Sequence, residues 1–500
     1  MLEAKVHSQL RDFSRFHREQ EWIHQLTMGR MIARGLRLKS STIIQTGVNH
    51  KYYYLSYLIP ALLSPYAVVI VIEESSLLKF IFEECIFIQK YIDYHKKILN
   101  DYPKNKELEL EKPTLYIVDT QTWLEKIVKD KAIDNLTTII VKGENLIEII
   151  YQYLTLTISY SQLLSMIENL DFSLQDLLRE KLANLLQLIY SHPPNPYDSY
   201  LLEKQEKNLI KDILTYGKTD NKLLTDFLSS LFSQEKYIHY FIINRSQGSF
   251  SLKATPLELK SIMEEKWLEQ NLIIIADYLE PEKIPLDYGN YLGLKLKDFT
   301  CLKFSPNPQG KILKIYFPDN FPFPNNPNFA TKVNQEILAL ISGIKINHCP
   351  IIVIIDDVPL QGQITASLAA NFGSRVKLKT TDLTLNSILV CDTDFLLTYQ
   401  DALLSPQLVI MATLPLPSLE NPIISAKVSY FKSQKKDWFR LYLLPIAIKN
   451  LQRITISLRQ NQGVLALLDN RVNYRIYGGQ ILQALEPYGK INYLDLDWIN

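Results

Sequence analysis

Between residues 42 and 141 the chain alternates two apolar patterns. Short, almost wholly apolar, β-branched runs at Thr42–Gln45, Ala67–Ile72, Leu115–Val118 and Thr138–Val141 are each followed by turn residues and then by apolar positions at helical spacing. A run with no polar face predicts a strand buried on both sides, the signature of a parallel sheet covered by helices. Strand, turn, helix and strand in that order give the βαβ rhythm of a doubly wound α/β domain. From Ile147 to about Lys236 leucines recur at helical spacing without a strand signal, and His192-Pro193-Pro194-Asn195-Pro196 marks a loop between helices. Strand signals return at Tyr240–Ile243 and Leu272–Ile275. A Pro- and Asn-rich connector runs from Phe317 to Pro327, and further strand signals follow at Ile351–Ile355, Ser387–Val390, Leu408–Met411, Ile454–Ser457 and Val464–Leu468.

This pattern divides the chain into a first α/β domain over 1–150, a helical insertion over 151–237, a return to the first domain over 238–300, a linker over 301–330 and a second α/β domain over 331–500. The stretch from Tyr52 to Ile72 carries no charge and is long enough to span a bilayer. Pro60 and Pro65 interrupt it, so it is read as a buried helix ending near Pro60, a turn at Ser64-Pro65 and a core strand. No membrane contact is expected.

Composition narrows the chemistry. The net charge is +1, so no global field draws the chain to nucleic acid or lipid, and any such binding needs a local patch. There are 16 glycines in 500 residues, below the ordinary frequency of about 7%. Phosphate-cradling loops need glycine for close backbone approach, so a glycine-poor chain is unpromising as a nucleotide enzyme. Cys85, Cys301, Cys349 and Cys391 are too widely spaced for a zinc knuckle or a four-cysteine iron–sulfur cluster, and the histidines show no metal-ligand spacing. No metal site is expected. The polar, charged N-terminus has no secretory pattern, which fits a reduced cytoplasmic setting.

The C-terminal region carries the most specific motif. It runs Leu414-Pro415-Leu416-Pro417-Ser418, Asn421-Pro422, Leu441-Tyr442-Leu443-Leu444-Pro445, Gln452 to Arg459, and Leu467-Leu468-Asp469-Asn470-Arg471. Order and spacing resemble the last conserved block of the DinG-type, iron–sulfur-class superfamily 2 DNA helicases. There, Leu-Pro-Phe-x-x-Pro is followed by a helix with Gln-Gly-x-Gly-Arg-x-Ile-Arg and a strand ending in Leu-Asp-x-Arg. The resemblance implies two RecA-like domains of P-loop-NTPase type with parallel sheets, and ATP and Mg²⁺ as cofactors.

The family's Gly-x-Gly-Lys-Thr loop corresponds to Thr46-Gly47-Val48-Asn49-His50-Lys51-Tyr52, where His50 and Tyr52 flank the lysine. Thr46, Gly47 and Lys51 are the candidate remnants of phosphate binding, against the alternative of an ordinary strand–helix turn. The Asp-Glu-Ala-His acids correspond to Lys142-Gly143-Glu144, leaving Glu144 as a remnant or a solvated loop carboxylate. The Ser-Ala-Thr-Leu motif becomes Ala276-Asp277-Tyr278-Leu279, and Gly-Thr-x-Ser-Phe-x-Glu-Gly becomes Cys391-Asp392-Thr393-Asp394-Phe395-Leu396-Leu397-Thr398. In the final motif Gln452 and Arg459 match, while Ile456 replaces the arginine that would stabilise charge on a transferred phosphoryl group. Asp356-Asp357, after an apolar run, imitate a metal-binding strand end, but their place in the second domain makes them turn-forming acids.

Basic positions survive better than catalytic ones. No acid occurs between Trp22 and Ile72, where Arg30, Arg34 and Arg37 share a helical face. Between Asn421 and Leu468 Asp437 is the one acid, against a run of basic residues that includes Lys449 and Arg453. Tyr430, Phe431, Trp438 and Phe439 are interleaved there and could stack on bases.

The chain therefore reads as a DinG-like helicase-fold protein of DNA metabolism or repair. It binds single-stranded or forked nucleic acid through Arg30, Arg34, Arg37, Lys449 and Arg453, with ATP turnover weak or lost and no iron–sulfur cluster. Two alternatives stay open: an active ATP-dependent helicase with atypical motifs, and a protein-interaction scaffold.

Overall fold

The computed structural model describes residues 2–17, 22–73, 75–92, 94–103, 113–129, 136–217, 221–233, 236–268, 270–304, 312–343, 350–400, 402–461 and 463–491. Cys349 lies outside them. The apolar runs build two seven-stranded sheets, each parallel throughout. In the first, the order is Thr300–Lys303, Thr42–Gln45, Asn271–Ala276, Thr137–Ile140, Val68–Ile72, Thr114–Asp119 and Lys97–Leu99. In the second it is Val376–Leu378, Ile388–Cys391, Ile351–Ile354, Leu408–Met411, Val464–Leu467, Leu313–Tyr316 and Tyr488–Ile491.

Both faces of each sheet are buried, which is why these strands carry no polar alternation. Ile44, Val68, Ile70, Ile117 and Ile273 face one core, covered by helices Leu2–His17, Gln25–Leu38, Tyr54–Leu63 and Ser75–Ile92. Their neighbours Ile43, Val69, Val71, Tyr116 and Ile274 face the other, with Trp123, Ile150, Met263 and Leu292. The second sheet divides its side chains the same way, Val353, Val390 and Ile410 to one core and Ile352, Leu389 and Val409 to the other.

Four expectations change. The stretch read as purely helical contains the strands Leu156–Ser159 and Ser199–Leu201, which join Tyr237–Asn244 and Ser249–Pro256 in a four-stranded antiparallel sheet. Tyr237–Asn244 therefore belongs with the inserted elements and not with the parallel sheet. Strands of three or four residues, half-polar as in Leu-Thr-Ile-Ser, are too short to show a period. Helices Phe172–Ser191, Lys204–Tyr216 and Lys222–Phe232 share a separate core with this sheet.

Second, Leu313–Tyr316, in the stretch read as a linker, pairs in parallel with Val464–Leu467 and Tyr488–Ile491 inside the second sheet. Third, Ile454–Ser457 is not a strand but part of helix Leu444–Asn461, where the packing of Leu451, Ile454 and Leu458 outweighs β-branched propensity. Fourth, helix Tyr54–Leu63 runs through Pro60 instead of ending there, and every one of its residues is buried. Its far end is held by Lys96, whose ammonium donates to the carbonyls of Ala61 at 2.8 Å, Ser64 at 3.0 Å and Tyr66 at 2.8 Å. Among the described residues no helix is long and apolar enough to cross a membrane.

Candidate functional site between the two α/β domains

The loop after Thr42–Gln45 makes the turn that a phosphate loop would make, with Gly47 in the left-handed region at φ 68°. Its donors are turned inward. Thr46 N donates to Ala276 O and Gly47 N to Asp277 O, each at 2.9 Å, while Tyr52 N and Tyr53 N close a short helical turn on Asn49 O and His50 O. Thr46 Oγ1 donates to Val48 O at 3.0 Å. A nest of outward-pointing N–H groups is what holds a phosphate, and these groups are spent inside the protein.

Aromatic side chains fill the space around the loop. His50 Nε2 lies 2.6 Å from the Tyr57 hydroxyl, and the Tyr53 hydroxyl donates to Asp277 Oδ1 at 3.0 Å. Tyr53 and Tyr57 are both fully buried. Burial holds the phenols of both well above the usual tyrosine range, with the Asp277 charge adding to it at Tyr53. Lys51, the candidate phosphate lysine, points to solvent, its ammonium 5.3 Å from the Tyr52 ring.

Glu144 is not the solvated loop carboxylate that was the alternative at this position. It is 1% exposed, and its Oε2 accepts from Asp277 N at 3.1 Å, while Oε1 is buried without a hydrogen-bond partner. Lys142 sits at φ 56° and is buried. Gly143 between them has no room for a side chain, because a Cβ there would meet Ile274 Cγ2 at 2.4 Å. The carboxylates here are knotted into the fold: Tyr53 to Asp277 to Glu144, with the Tyr288 hydroxyl closing on Gly143 O at 2.6 Å.

The residues carrying the C-terminal motif prove structural where they can be traced. Asp469 is 2% exposed and accepts from Leu414 N at 2.8 Å and from Arg471 Nε at 2.9 and 3.0 Å. One carboxylate thus ties the Leu-Pro segment to the Leu-Asp-x-Arg strand end. Arg459 directs its guanidinium to the carbonyls of Leu485, Glu486 and Pro487, and burial lowers its pKa to about 10. Ile456 is buried. Asp357 caps helix Val358–Phe372 through Leu360 N at 2.7 Å, as turn-forming acids do. Asp356 accepts from Thr393 N and Thr393 Oγ1, and burial raises its pKa despite those bonds.

Direct contacts pin the two domains across the cleft. Lys449 pairs with Glu148 at 3.0 Å. Lys427 sits 3.8 Å from the centroid of the Tyr151 ring and 5.7 Å from that of Tyr442. Burial lowers the Lys427 pKa to about 8, with Glu148 opposing the shift. The Tyr430 hydroxyl donates to Glu258 Oε1 at 2.7 Å, and Gln452 lies against the Tyr278 phenol. Helix Pro422–Ser433, which carries Lys427 and Tyr430, also packs on the inserted strands Ser199–Leu201 and Tyr237–Asn244.

Of the residues read as nucleic-acid contacts, Arg30 and Arg34 are exposed on helix Gln25–Leu38, and Arg37 is paired to Glu3 at 2.7 Å. Lys449 is committed to Glu148, and Arg453 is 6% exposed. The candidates therefore do not converge on one surface in the cleft. On its second-domain side stand Asp392 and Asp394, the latter's pKa raised by burial, by Asp392 and by Glu148. Asp392 is itself paired with Lys379, which balances part of that charge. Sequence reasoning missed the Lys427–Tyr151 and Tyr53–Asp277 contacts. The three successive tyrosines at 52–54 were the available signal, since two of them are core residues locking the loop.

Residues 401–488 match the family model of a helicase C-terminal domain. Among solved structures the chain is similar to an XPD helicase, at 11% identity and TM-score 0.61, covering 94% of this chain and 99% of that one. It is also similar to Xpd4 of S. tokodaii, at 13% identity and TM-score 0.58, covering 92% and 98%. A further XPD structure, in its apo form, gives 12% identity and TM-score 0.59 over 93% and 99%. No curated protein is a significant match in sequence. The likeness establishes the fold, two RecA-like α/β domains as in those XPD structures.

ATP and Mg²⁺, which such a fold implies, do not fit the residues present. The amides of Thr46, Gly47, Tyr52 and Tyr53 are used internally, Lys51 is exposed, Lys142 corresponds to a metal-ligand position, and Glu144 is sealed against Asp277. Among the described residues no group of three or more His, Cys, Asp or Glu is placed to hold a metal ion.

Proposed function

We propose that this is a helicase-fold protein, related to the DinG-type DNA helicases, that binds nucleic acid without turning over ATP. The observation that carries the reading is the sealed first-domain loop. Tyr53 and His50 fill the place where phosphates would enter, and their partners Asp277 and Tyr57 are themselves buried. The interdomain pins support it. Lys449–Glu148 and Lys427–Tyr151 join the two domains directly across the cleft, where a working helicase would close on nucleotide. The protein acts in DNA metabolism as a binding or architectural subunit, and Arg30 and Arg34 remain candidate phosphate contacts.

The test is binding of a labelled single-stranded oligothymidylate of 20 nucleotides, with and without ATP and Mg²⁺. The expected result is micromolar, salt-sensitive binding whose affinity does not change with nucleotide. A shift of tenfold or more on adding ATP would return the active-helicase reading. Absence of binding at about 50 mM salt would leave the interaction scaffold.

A further inference from the structure

Outside the cleft, the second domain carries a groove of about 690 Å³ lined by Asp437, Phe439, Arg440, Tyr474, Arg475, Ile476 and Tyr477. One wall is the π-helical turn Phe439–Leu443, and the other is the loop that follows helix Arg471–Tyr474. Its side chains are unusually placed. Ile476 is 89% exposed and Tyr474 61% exposed, so large apolar surface stands in water beside two exposed arginines. Phe439 and Tyr477 pack together below them, with centroids 4.7 Å apart, as an aromatic floor.

Positive charge predominates, two arginines in the groove against the one acid Asp437. Arg440 and Arg475 lie in the groove, and the exposed Lys432, Lys435 and Lys436 precede it in the chain. The opposing acid, Asp437, pairs with Arg440 at 3.8 Å in an exposed geometry that contributes little. Asp319, close by through the Tyr474 hydroxyl, is neutralised by Lys490 at 3.2 Å. The Arg475 guanidinium stands 5.5 Å from the Phe323 ring centroid, which limits its freedom before anything binds.

We propose that this groove is a binding site for single-stranded nucleic acid, two or so nucleotides lying across it. Bases stack on Tyr474 and against Ile476, while Arg440 and Arg475 take the flanking phosphates. Exposed aromatic and apolar faces interleaved with arginines suit unpaired bases, whereas duplex DNA hides its bases and offers only phosphates. The proposal rests on the nucleic-acid reading above but moves the contact from Lys449, which is paired, and Arg453, which is buried, to this groove of the second domain.

Arg440→Glu/Arg475→Glu, at two exposed positions, tests it with the same oligothymidylate probe, and Lys222→Glu on the inserted helices serves as a surface control. The double variant is expected to bind at least tenfold more weakly than wild type, with the slope of log affinity against log salt reduced by about 1.4 for two lost phosphate contacts. An oligothymidylate carrying 4-thiothymidine should cross-link under light to the segment 474–477. If wild type binds and the double variant binds equally, or cross-links fall on helix Gln25–Leu38 instead, the groove is not the site although the nucleic-acid reading stands. If wild type does not bind at all, that reading itself fails. If an octaglutamate peptide binds the groove more tightly than the oligonucleotide, the surface belongs to an acidic protein partner and the proposal is overturned.

Discussion

Asp469 explains at the residue scale why one half of a helicase motif persists while the other is gone. Its buried carboxylate joins Leu414 N to the Arg471 guanidinium, which gives the Leu-Asp-x-Arg end a structural use independent of ATP. Removing one partner of a buried pair leaves an uncompensated charge, and Asp469→Ala should cost about 3 kcal/mol in urea unfolding. Lys51 is the contrasting case. It would be indispensable in a working phosphate loop, but here it is a surface lysine beside Tyr52. Lys51→Ala should change stability by less than about 0.5 kcal/mol, as solvent-facing substitutions usually do. A loss several times larger would mean that Lys51 has a buried role.

At the scale of elements, the far end of the buried helix Tyr54–Leu63 is tied down by the Lys96 amino group. Burial lowers the Lys96 pKa from 10.5 to about 7 in the folded protein. Between those values the unfolded chain holds a proton that the folded protein has released, so stability rises as pH goes from about 7 to 10.5. The contribution of this one group reaches about 1.4 kcal/mol per pH unit. Lys96→Met should flatten that rise relative to wild type, and parallel curves would refute the assignment. Nothing in the sequence marks Lys96, because its acceptors are carbonyls of residues thirty or so positions earlier. The central parallel strands, by contrast, were legible, since burial on both faces writes itself as an unbroken apolar run, whereas Lys97–Leu99, Thr300–Lys303, Leu313–Tyr316, Val376–Leu378 and Tyr488–Ile491, short and mixed in polarity, were not. The antiparallel strands of the insertion were not, and Ile454–Ser457 misled, because pairing partners and packing decide short or β-branched segments. The same division holds at the candidate site. Missing catalytic residue types could be read directly, but the internal use of Lys449, Arg459 and Glu144 depends on contacts far along the chain.

For the whole molecule, the two domains touch directly across the cleft, with Lys427 buried there and two further contacts at its exposed rim. Lys427 against Tyr151, Lys449 with Glu148 and Tyr430 with Glu258 fix the second domain on the first and on the inserted sheet. Scattering curves recorded with and without ATP and Mg²⁺ should therefore superimpose. Lys427→Ala/Lys449→Ala should raise the radius of gyration by loosening the pair, and no change would show that the pins are dispensable. The proposed function is that of a helicase fold that keeps its scaffold and does not turn over ATP. Phosphate release from ATP by the purified protein, with Mg²⁺ and saturating single-stranded DNA, tests it most directly. The expected result is a rate indistinguishable from that of a buffer control. DNA-stimulated turnover of about 1 per second or faster, abolished by Lys51→Ala, would contradict it.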